Sequence, residues 1–381
     1  MPSADSSRIC SRCVLTSSFP RIRFDDRGVC SVCREYDRWW KEWNLRKHER
    51  EKILYKICKQ AKSKRRKFDA LIPLSGGKDS TYVLYVAQQK LGLKCLAYTL
   101  DIGYLSNYAK NNITKACEKM GVEHIYYKID PKLINELFAL FIRKTGWFCS
   151  VCMRAIQAST FEIAEKYRIP LIIKGTSLRT ELPLAREMFQ GGDLTHIRSV
   201  LKGEIIAKKC KKFCSRGYSI QRGIGQLLFW LFKQRRLFSY AYFNLADFID
   251  WDYNTIYKTI TQELGWVSPS NAEHMDCTIH PIQRYIHNRR FPGLEMKRLT
   301  FARLVMAGLM TREEALRKLE EEPDEQCPET VMDMFLKNIN MTKEEFDYYV
   351  DLGPRHLQYP RESLLLRMVK SAFRIKDAGI Y

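Results

Sequence analysis

The clearest pattern in the chain begins at Phe68. Short apolar runs alternate there with amphipathic stretches of helical length. Asp69-Ala-Leu-Ile-Pro-Leu74 reads as a buried strand, and Thr81 to Leu91 as a helix. Lys94 to Leu100 reads as a second strand ending at Asp101, followed by a helix around Asn107 to Met120. Glu123 to Lys128 is a third strand. Pro131 to Lys144 and Met153 to Tyr167 are helices, and Pro170 to Lys174 is a further strand. Strands alternating with helices of this length predict parallel βαβ units, hence an α/β fold. Upstream, a polar and basic helix is expected from about Glu35 to Arg66, with Trp39, Trp40 and Trp43 on one side of it. From Leu184 to about Asn271 the pattern is irregular, basic and aromatic. Beyond Pro292 it is mostly helical, and Thr311-Arg-Glu-Glu314 and Thr342-Lys-Glu-Glu345 fit the capping box that opens a helix. These shifts divide the chain into 1–35, a cysteine module; 36–67, a linking basic helix; 68–185, the α/β domain; 186–272, an insertion or helical lobe; and 273–381, a mostly helical C-terminal region.

Composition narrows the class. The 381 residues are 45% hydrophobic and 28% charged, which excludes a largely disordered or fibrous chain. The longest apolar run, Leu227 to Phe232, is far short of the ~20 residues of a membrane span. The first ten residues lack the apolar core of a signal peptide, so the expected location is the cytoplasm. Net charge is +21, and its excess is concentrated in Arg34–Lys67 and Ile197–Arg236. Such local fields attract nucleic acid, an anionic membrane surface, a sugar nucleotide or an acidic partner; an ordinary solvated face is the other reading.

Chemistry enters at three places. Ser75-Gly76-Gly77-Lys78-Asp79-Ser80 lies between the first strand and its helix. A turn there presents unpaired N–H groups at the positive end of a helix dipole, its glycines let the backbone curl around an anion, and Lys78 adds a full charge. It is not a Walker A sequence. Cys10-x2-Cys13 and Cys30-x2-Cys33, sixteen residues apart, offer four thiolates for a closed, structural Zn²⁺ site. Cys149-x2-Cys152 lies inside the α/β pattern, with Cys277 and His280 far downstream. Four incidental thiols, or packed small apolar residues, are the bland readings of these cysteines.

The phosphate-loop residues resemble the PP-loop signature of the ATP pyrophosphatases. That resemblance implies ATP cleaved between its α and β phosphates, with Ser75, Gly76, Gly77, Lys78, Asp79 and Ser80 holding the pyrophosphate portion with Mg²⁺. It also implies Lys78, Asp79 and Ser80 as the reacting set, with Asp101 and Gly175, in Gly175-Thr-Ser177, at the nucleotide. Many relatives carry a His and acidic residues after that glycine, where this chain has Leu178-Arg-Thr180 before Glu181. By the same resemblance, Cys149, Cys152 and Cys277 are a three-thiolate site for a [4Fe–4S] cluster or a second Zn²⁺.

Within that class the chain resembles the N-acetyl sugar amidotransferases of the WbpG and PseA type, which serve lipopolysaccharide O-antigen and flagellar sugar synthesis. The segments are the four-cysteine module, the loop, Trp147-Phe-Cys-Ser-Val-Cys152, Glu273-His-Met-Asp-Cys277, Asn288-Arg-Arg-Phe-Pro-Gly293 and Gly308-Leu-Met-Thr-Arg-Glu-Glu-Ala315. The resemblance implies adenylylation of the acetamido oxygen of a nucleotide-activated N-acetyl sugar and its replacement by ammonia. The products are an acetamidino sugar, AMP and pyrophosphate. The ammonia would come from a separate glutaminase like the small subunit of imidazole glycerol phosphate synthase, through a cyclase-like barrel partner. Nucleic acid is not expected as a partner. The competing expectation is a PP-loop tRNA-thiolating enzyme with a cysteine-ligated iron–sulfur cluster, and a non-catalytic zinc adaptor for RNA stands behind it.

Overall fold

The computed structural model describes residues 8–177, 179, 194–210, 241–268, 276–321 and 328–352. Its centre is a five-stranded parallel sheet: β1 (Ala70–Pro73), β2 (Cys95–Asp101), β3 (Glu123–Lys128), β4 (Leu171–Lys174) and β5 (Ala241–Asn244), in the order β3-β2-β1-β4-β5. Register runs Ala70 opposite Cys95 on one side of β1 and opposite Leu171 on the other. The chain leaves β1 toward β2, yet β4 lies on β1's other flank. This reversal opens a crevice at the carboxyl ends of β1 and β4, where parallel sheets of this kind bind ligands.

Four of the five strands lie where the apolar runs predicted them. The fifth, β5, comes from the stretch assigned to the insertion, so that region returns to the sheet. Its four residues, Ala-Tyr-Phe-Asn, are too short a run, in too irregular a stretch, to stand out as the longer apolar segments around β1 and β2 do. Both sheet faces are covered, so alternate residues of one strand enter different cores. Ala70 and Ile72 face one core with helices α2 (Lys47–Lys62), α3 (Lys78–Tyr85), α4 (Asn107–Met120) and the helix Tyr253–Leu264. Leu71 faces the other, with Leu96, Tyr98 and Phe161.

The predicted basic helix is two helices. α1 (Ser31–Leu45) breaks at Arg46, and α2 follows. The cause is packing: α1 lays Val32, Tyr36, Trp39 and Trp40 against the N-terminal module and its neighbours, whereas α2 turns Leu54, Ile57, Cys58 and Ala61 toward the sheet. Trp40 and Trp43 stack at 5.1 Å, which bears out their common side. The helix read as Thr81–Leu91 starts three residues earlier, at Lys78, and ends in a π turn, Val86–Lys90.

Helices α5 (Pro131–Thr145) and α6 (Cys149–Lys166) share a core with the C-terminal helices His280–Arg290, Glu329–Ile339 and Lys343–Asp351. α6 also begins earlier than expected, so Cys149 and Cys152 sit on its first turn. The hydroxyls of Thr311 and Thr342 accept from the amides of Glu314 and Glu345, as the capping pattern requires. The motif Asn288–Gly293 is architectural. Asn288 Oδ1 accepts from the Met296 amide, and the Gly293 carbonyl accepts from Thr16. Arg290 donates to the carbonyls of Thr145, Tyr349 and Val350, closing the ends of two helices. An ammonium cannot reproduce three bonds from one planar fork. Arg290→Lys is therefore expected to lower stability by about 1–3 kcal/mol, read from the urea midpoint; an unchanged midpoint would contradict the capping role.

Candidate functional site

β1 delivers the chain to Ser75, and α3 begins at Lys78, so the six-residue loop occupies the mouth of the crevice. Its geometry is held from inside. Ser75 Oγ and Ser80 Oγ lie 3.2 Å apart, and the Ser75 amide donates to Ser80 Oγ. The Gly77 amide donates to Ser75 Oγ, while Ser80 Oγ and Thr81 Oγ1 both donate to the Gly77 carbonyl. Gly76 has φ +81°, and a Cβ on it would lie 2.6 Å from the Ala109 carbonyl oxygen of α4. Only glycine fits there. No hydrogen bond among the described residues occupies the amides of Gly76, Lys78, Asp79 or Ser80. Helix α3 has no side-chain cap, so its first turn is left open to an anion.

Lys78 Nζ lies 3.0 Å from Asp79 Oδ2 and 4.6 Å from the centre of the Tyr253 ring. Burial works to lower this ammonium, but Asp79, with Tyr253 and Tyr257 nearby, carries it above the ordinary lysine value. Lys78 is thus a held, fully charged cation. The other carboxylate oxygen of Asp79 accepts from Trp251 Nε1 at 3.1 Å.

Gly175, following β4, presses on the loop: a Cβ there would meet the Asp79 backbone at 2.9 Å. Asp101 ends β2 and accepts from the Gly103 amide. The structure thus brings Gly175 against Ser75–Ser80, with Asp101 at the same edge of the sheet. Arg179 takes a different role from the acidic residues of relatives. Its guanidinium donates to the carbonyls of Trp251 and Ala307 and stacks over Trp40 at 4.8 Å. It ties the segment beyond β4 to the C-terminal helices. Leu178, Thr180 and Glu181 lie outside the described residues.

Sequence reasoning missed the aromatic residues that enclose the loop: Trp251, Tyr253 and Trp266. They come from a stretch with no motif, and only the excess of aromatics there hinted at a role. Asn112 of α4 was also missed.

Cys10, Cys13, Cys30 and Cys33 converge, with all four sulfurs within 4.8 Å of one another and all four side chains buried. The Sγ–Sγ distances are 3.9 Å for both Cys10–Cys33 and Cys13–Cys30. Amides of Arg12, Cys13 and Cys30 point at Cys10 Sγ, that of Leu15 at Cys13 Sγ, and that of Cys33 at Cys30 Sγ. Four thiols this close cannot all ionise without a cation. Hydrogen bonds from Cys13, then Cys30 and Cys33, push Cys10 down, while Cys10 pushes Cys13 and Cys33 up. A soft divalent metal resolves the conflict, and donor set and spacing fit zinc or an iron site. Arg312 Nε anchors the module by donating to the carbonyls of Cys10 and Cys13.

Cys149, Cys152 and Cys277 are brought to one side of the helical core, where Cys277 pairs with Leu105 through an isolated bridge. Among the described residues they do not reach the mutual 4.8 Å of a single-ion site. Burial first, then Cys152 and Cys277, push Cys149 well up; burial likewise holds Cys152 high and pushes Cys277 up to about 11. His280 follows directly, its amide on the Cys277 carbonyl. Glu273, His274 and Met275 lie outside the described residues. Cys58, Cys95 and Cys117 are buried in the apolar core, as isolated small residues should be. Cys210 is buried among Leu137, Phe141 and Ile197, and Cys214 lies outside the described residues.

Strand order, loop and four-cysteine module define a parallel α/β protein with an open anion-type loop at its crevice and an N-terminal four-thiol module able to hold a metal. Residues 252–372 match the model described as LPS biosynthesis protein WbpG-like, C-terminal domain. An uncharacterized protein of Methanocaldococcus jannaschii is 26% identical over 187 residues, 48% of this chain; the match spans 64% of that protein's length. Two solved structures are similar at a low level. One, from the same organism, is titled a predicted subunit of tRNA methyltransferase (16% identity, 51% of this chain and 75% of that one, TM-score 0.28). The other is the U34-tRNA thiolase NcsA of Methanococcus maripaludis with its [4Fe-4S] cluster (11% identity, 88% and 90%, TM-score 0.32). Likeness at that level carries no functional weight. No described helix is long and apolar enough to cross a membrane.

Full-length protein is expected to contain about one tightly held metal ion per chain at the four thiolates. Cys13→Ser should lose that ion and, with it, the fold of residues 8–33, since the metal supplies such a module's folding energy. Elemental analysis with limited proteolysis checks this, and retention of both metal and protease resistance would count against it.

Proposed function

We propose that the protein is an ATP-dependent amidotransferase that converts an acetamido sugar, carried on a nucleotide, to its acetamidino form in surface-glycan synthesis. The observation that carries this reading is the open, lysine-bearing loop at the crevice mouth, on a chain with a WbpG-like C-terminal domain. An amide carbonyl is a weak electrophile because resonance spreads its charge. Attack of its oxygen on the α phosphorus of ATP releases pyrophosphate and leaves an O-adenylyl imidate. Ammonia adds to the imidate carbon, AMP departs with the former amide oxygen, and loss of a proton gives the amidine.

The loop's part is electrostatic. The amides of Gly76, Lys78, Asp79 and Ser80 would take the β and γ phosphates, and Lys78 would offset the charge developing on pyrophosphate. Asp79 would help hold Mg²⁺, which would supply Lewis acidity toward the phosphates. Asp101 and Gly175 would flank the nucleoside. Ammonia is best delivered from a docked glutaminase, since a closed route protects it from protonation. Cys149, Cys152 and Cys277, gathered on the core of α5, α6 and the C-terminal helices, would supply three thiolates to an iron–sulfur cluster or a second Zn²⁺.

Mass spectrometry of UDP- or CMP-linked acetamido sugars, incubated with ATP, Mg²⁺ and ammonium, tests the proposal. The expected product is about 1 Da lighter, from exchange of oxygen for NH, with release of pyrophosphate and AMP. An unchanged sugar, with sulfur transferred to tRNA, would move the protein to the thiolase reading. Lys78→Ala should remove turnover, by about a hundredfold or more, while leaving the melting temperature near that of the parent. Full activity in that variant would exclude the loop from the reaction.

A further inference from the structure

The carbonyl of Gly76 is held by two side chains that lie 154 positions apart in the chain, Asn112 and Trp266. Trp266 Nε1 donates to it at 2.9 Å and Asn112 Nδ2 at 3.3 Å. Trp266 is 5% exposed and Asn112 1%. An indole N–H can only donate, so the carbonyl direction at this contact is unambiguous. Asn112 is itself fixed: its Nδ2 also donates to the Val267 carbonyl at 2.9 Å, and its Oδ1 accepts from the Val267 amide at 3.0 Å. Both N–H groups and the oxygen of the carboxamide are used, and its alternative flip would lose all three bonds.

This matters because of what a peptide is. The C=O of Gly76 and the N–H of Gly77 belong to one plane and point in opposite directions. Held outward by Trp266 and Asn112, the carbonyl leaves the N–H directed inward, to Ser75 Oγ. Gly76 lacks a Cβ, so rotation of that plane meets little intrinsic resistance. A rotated peptide would aim a carbonyl dipole where phosphate oxygens are to lie and would repel them.

We infer that Trp266 and Asn112 are positioning residues that lock the Gly76–Gly77 peptide with its carbonyl turned away from the phosphate site, so that the loop stays receptive to an anion. They touch no substrate; they act through the loop backbone. The inference rests on the phosphate-loop reading above, and it deepens that reading by making phosphate affinity depend on a side chain of the C-terminal domain. Tyr253 and Trp251 address Lys78 and Asp79 of the loop and leave this peptide to the Trp266–Asn112 pair.

The test uses the full chain and three probes: ATP with Mg²⁺, inorganic pyrophosphate, and AMP, each titrated by calorimetry. Trp266→Phe keeps the ring and removes only the N–H. It is expected to weaken ATP and pyrophosphate binding by about tenfold, the effect of one lost hydrogen bond and a mobile peptide, and to leave AMP binding unchanged. General loosening of the fold would weaken AMP equally, and that result would overturn the inference, as would parental affinity for all three probes. Asn112→Ser carries the same expectation and stands in should Trp266→Phe not fold. If the parent protein itself binds neither ATP nor pyrophosphate, the phosphate-loop reading fails first and this inference falls with it. Parental binding with no effect of either substitution sinks the inference alone.

Discussion

One close approach governs the site: the backbone of Gly76 against the carbonyl of Ala109. A helix on a neighbouring βαβ unit sets how the first strand may turn, and glycine is the residue that tolerates it. Everything chemical about the loop follows from that contact. The curl exposes consecutive amides, helix α3 starts uncapped behind them, and Lys78 emerges beside Asp79. The surrounding aromatics then lower the local dielectric, which strengthens each of these interactions with a charged ligand.

The C-terminal region closes over this site as a second half of it. Trp251, Tyr253 and Trp266 reach the loop from just before and within the segment that matches the WbpG-like C-terminal domain model. Arg179 links the same segment to Ala307 and to Trp40 of α1. The phosphate loop is therefore built by residues about 190 positions apart in the chain, and none of those partners belongs to a phosphate-binding motif.

This explains which parts of the molecule were legible in the sequence. Strands β1, β2 and β4 announced themselves because a parallel strand buried on both faces is a nearly continuous apolar run, and the edge strand β3 was placed by its Ile-Tyr-Tyr centre between two helices. The four-cysteine module was legible because metal geometry dictates its short spacings. β5 was not, since its four residues lie in an irregular, basic stretch with no βαβ rhythm around them. The break at Arg46 was hidden because both halves of the helix carry the same polar composition; only the direction of their buried faces differs. Trp266 and Asn112 act through single hydrogen bonds to backbone, a demand that leaves no periodicity to read. For Cys149, Cys152 and Cys277, pattern gave only the Cys149–Cys152 pair; the family resemblance alone joined Cys277 to it.

The N-terminal module has a seat made of the far end of the chain. Its Thr16 hydroxyl bonds Gly293, and Arg312 bonds the carbonyls of Cys10 and Cys13, across sequence separations of 277 and 302 residues. During synthesis, which proceeds from the N-terminus at roughly 5–20 residues per second, the metal knuckle is complete long before its seat has left the ribosome. For that interval Val14, Leu15 and Phe19 have only Val32, Tyr36 and their neighbours on α1 against them, and the nascent chain carries a partly bare apolar tip until Leu294, Leu299, Phe301 and Met306 arrive.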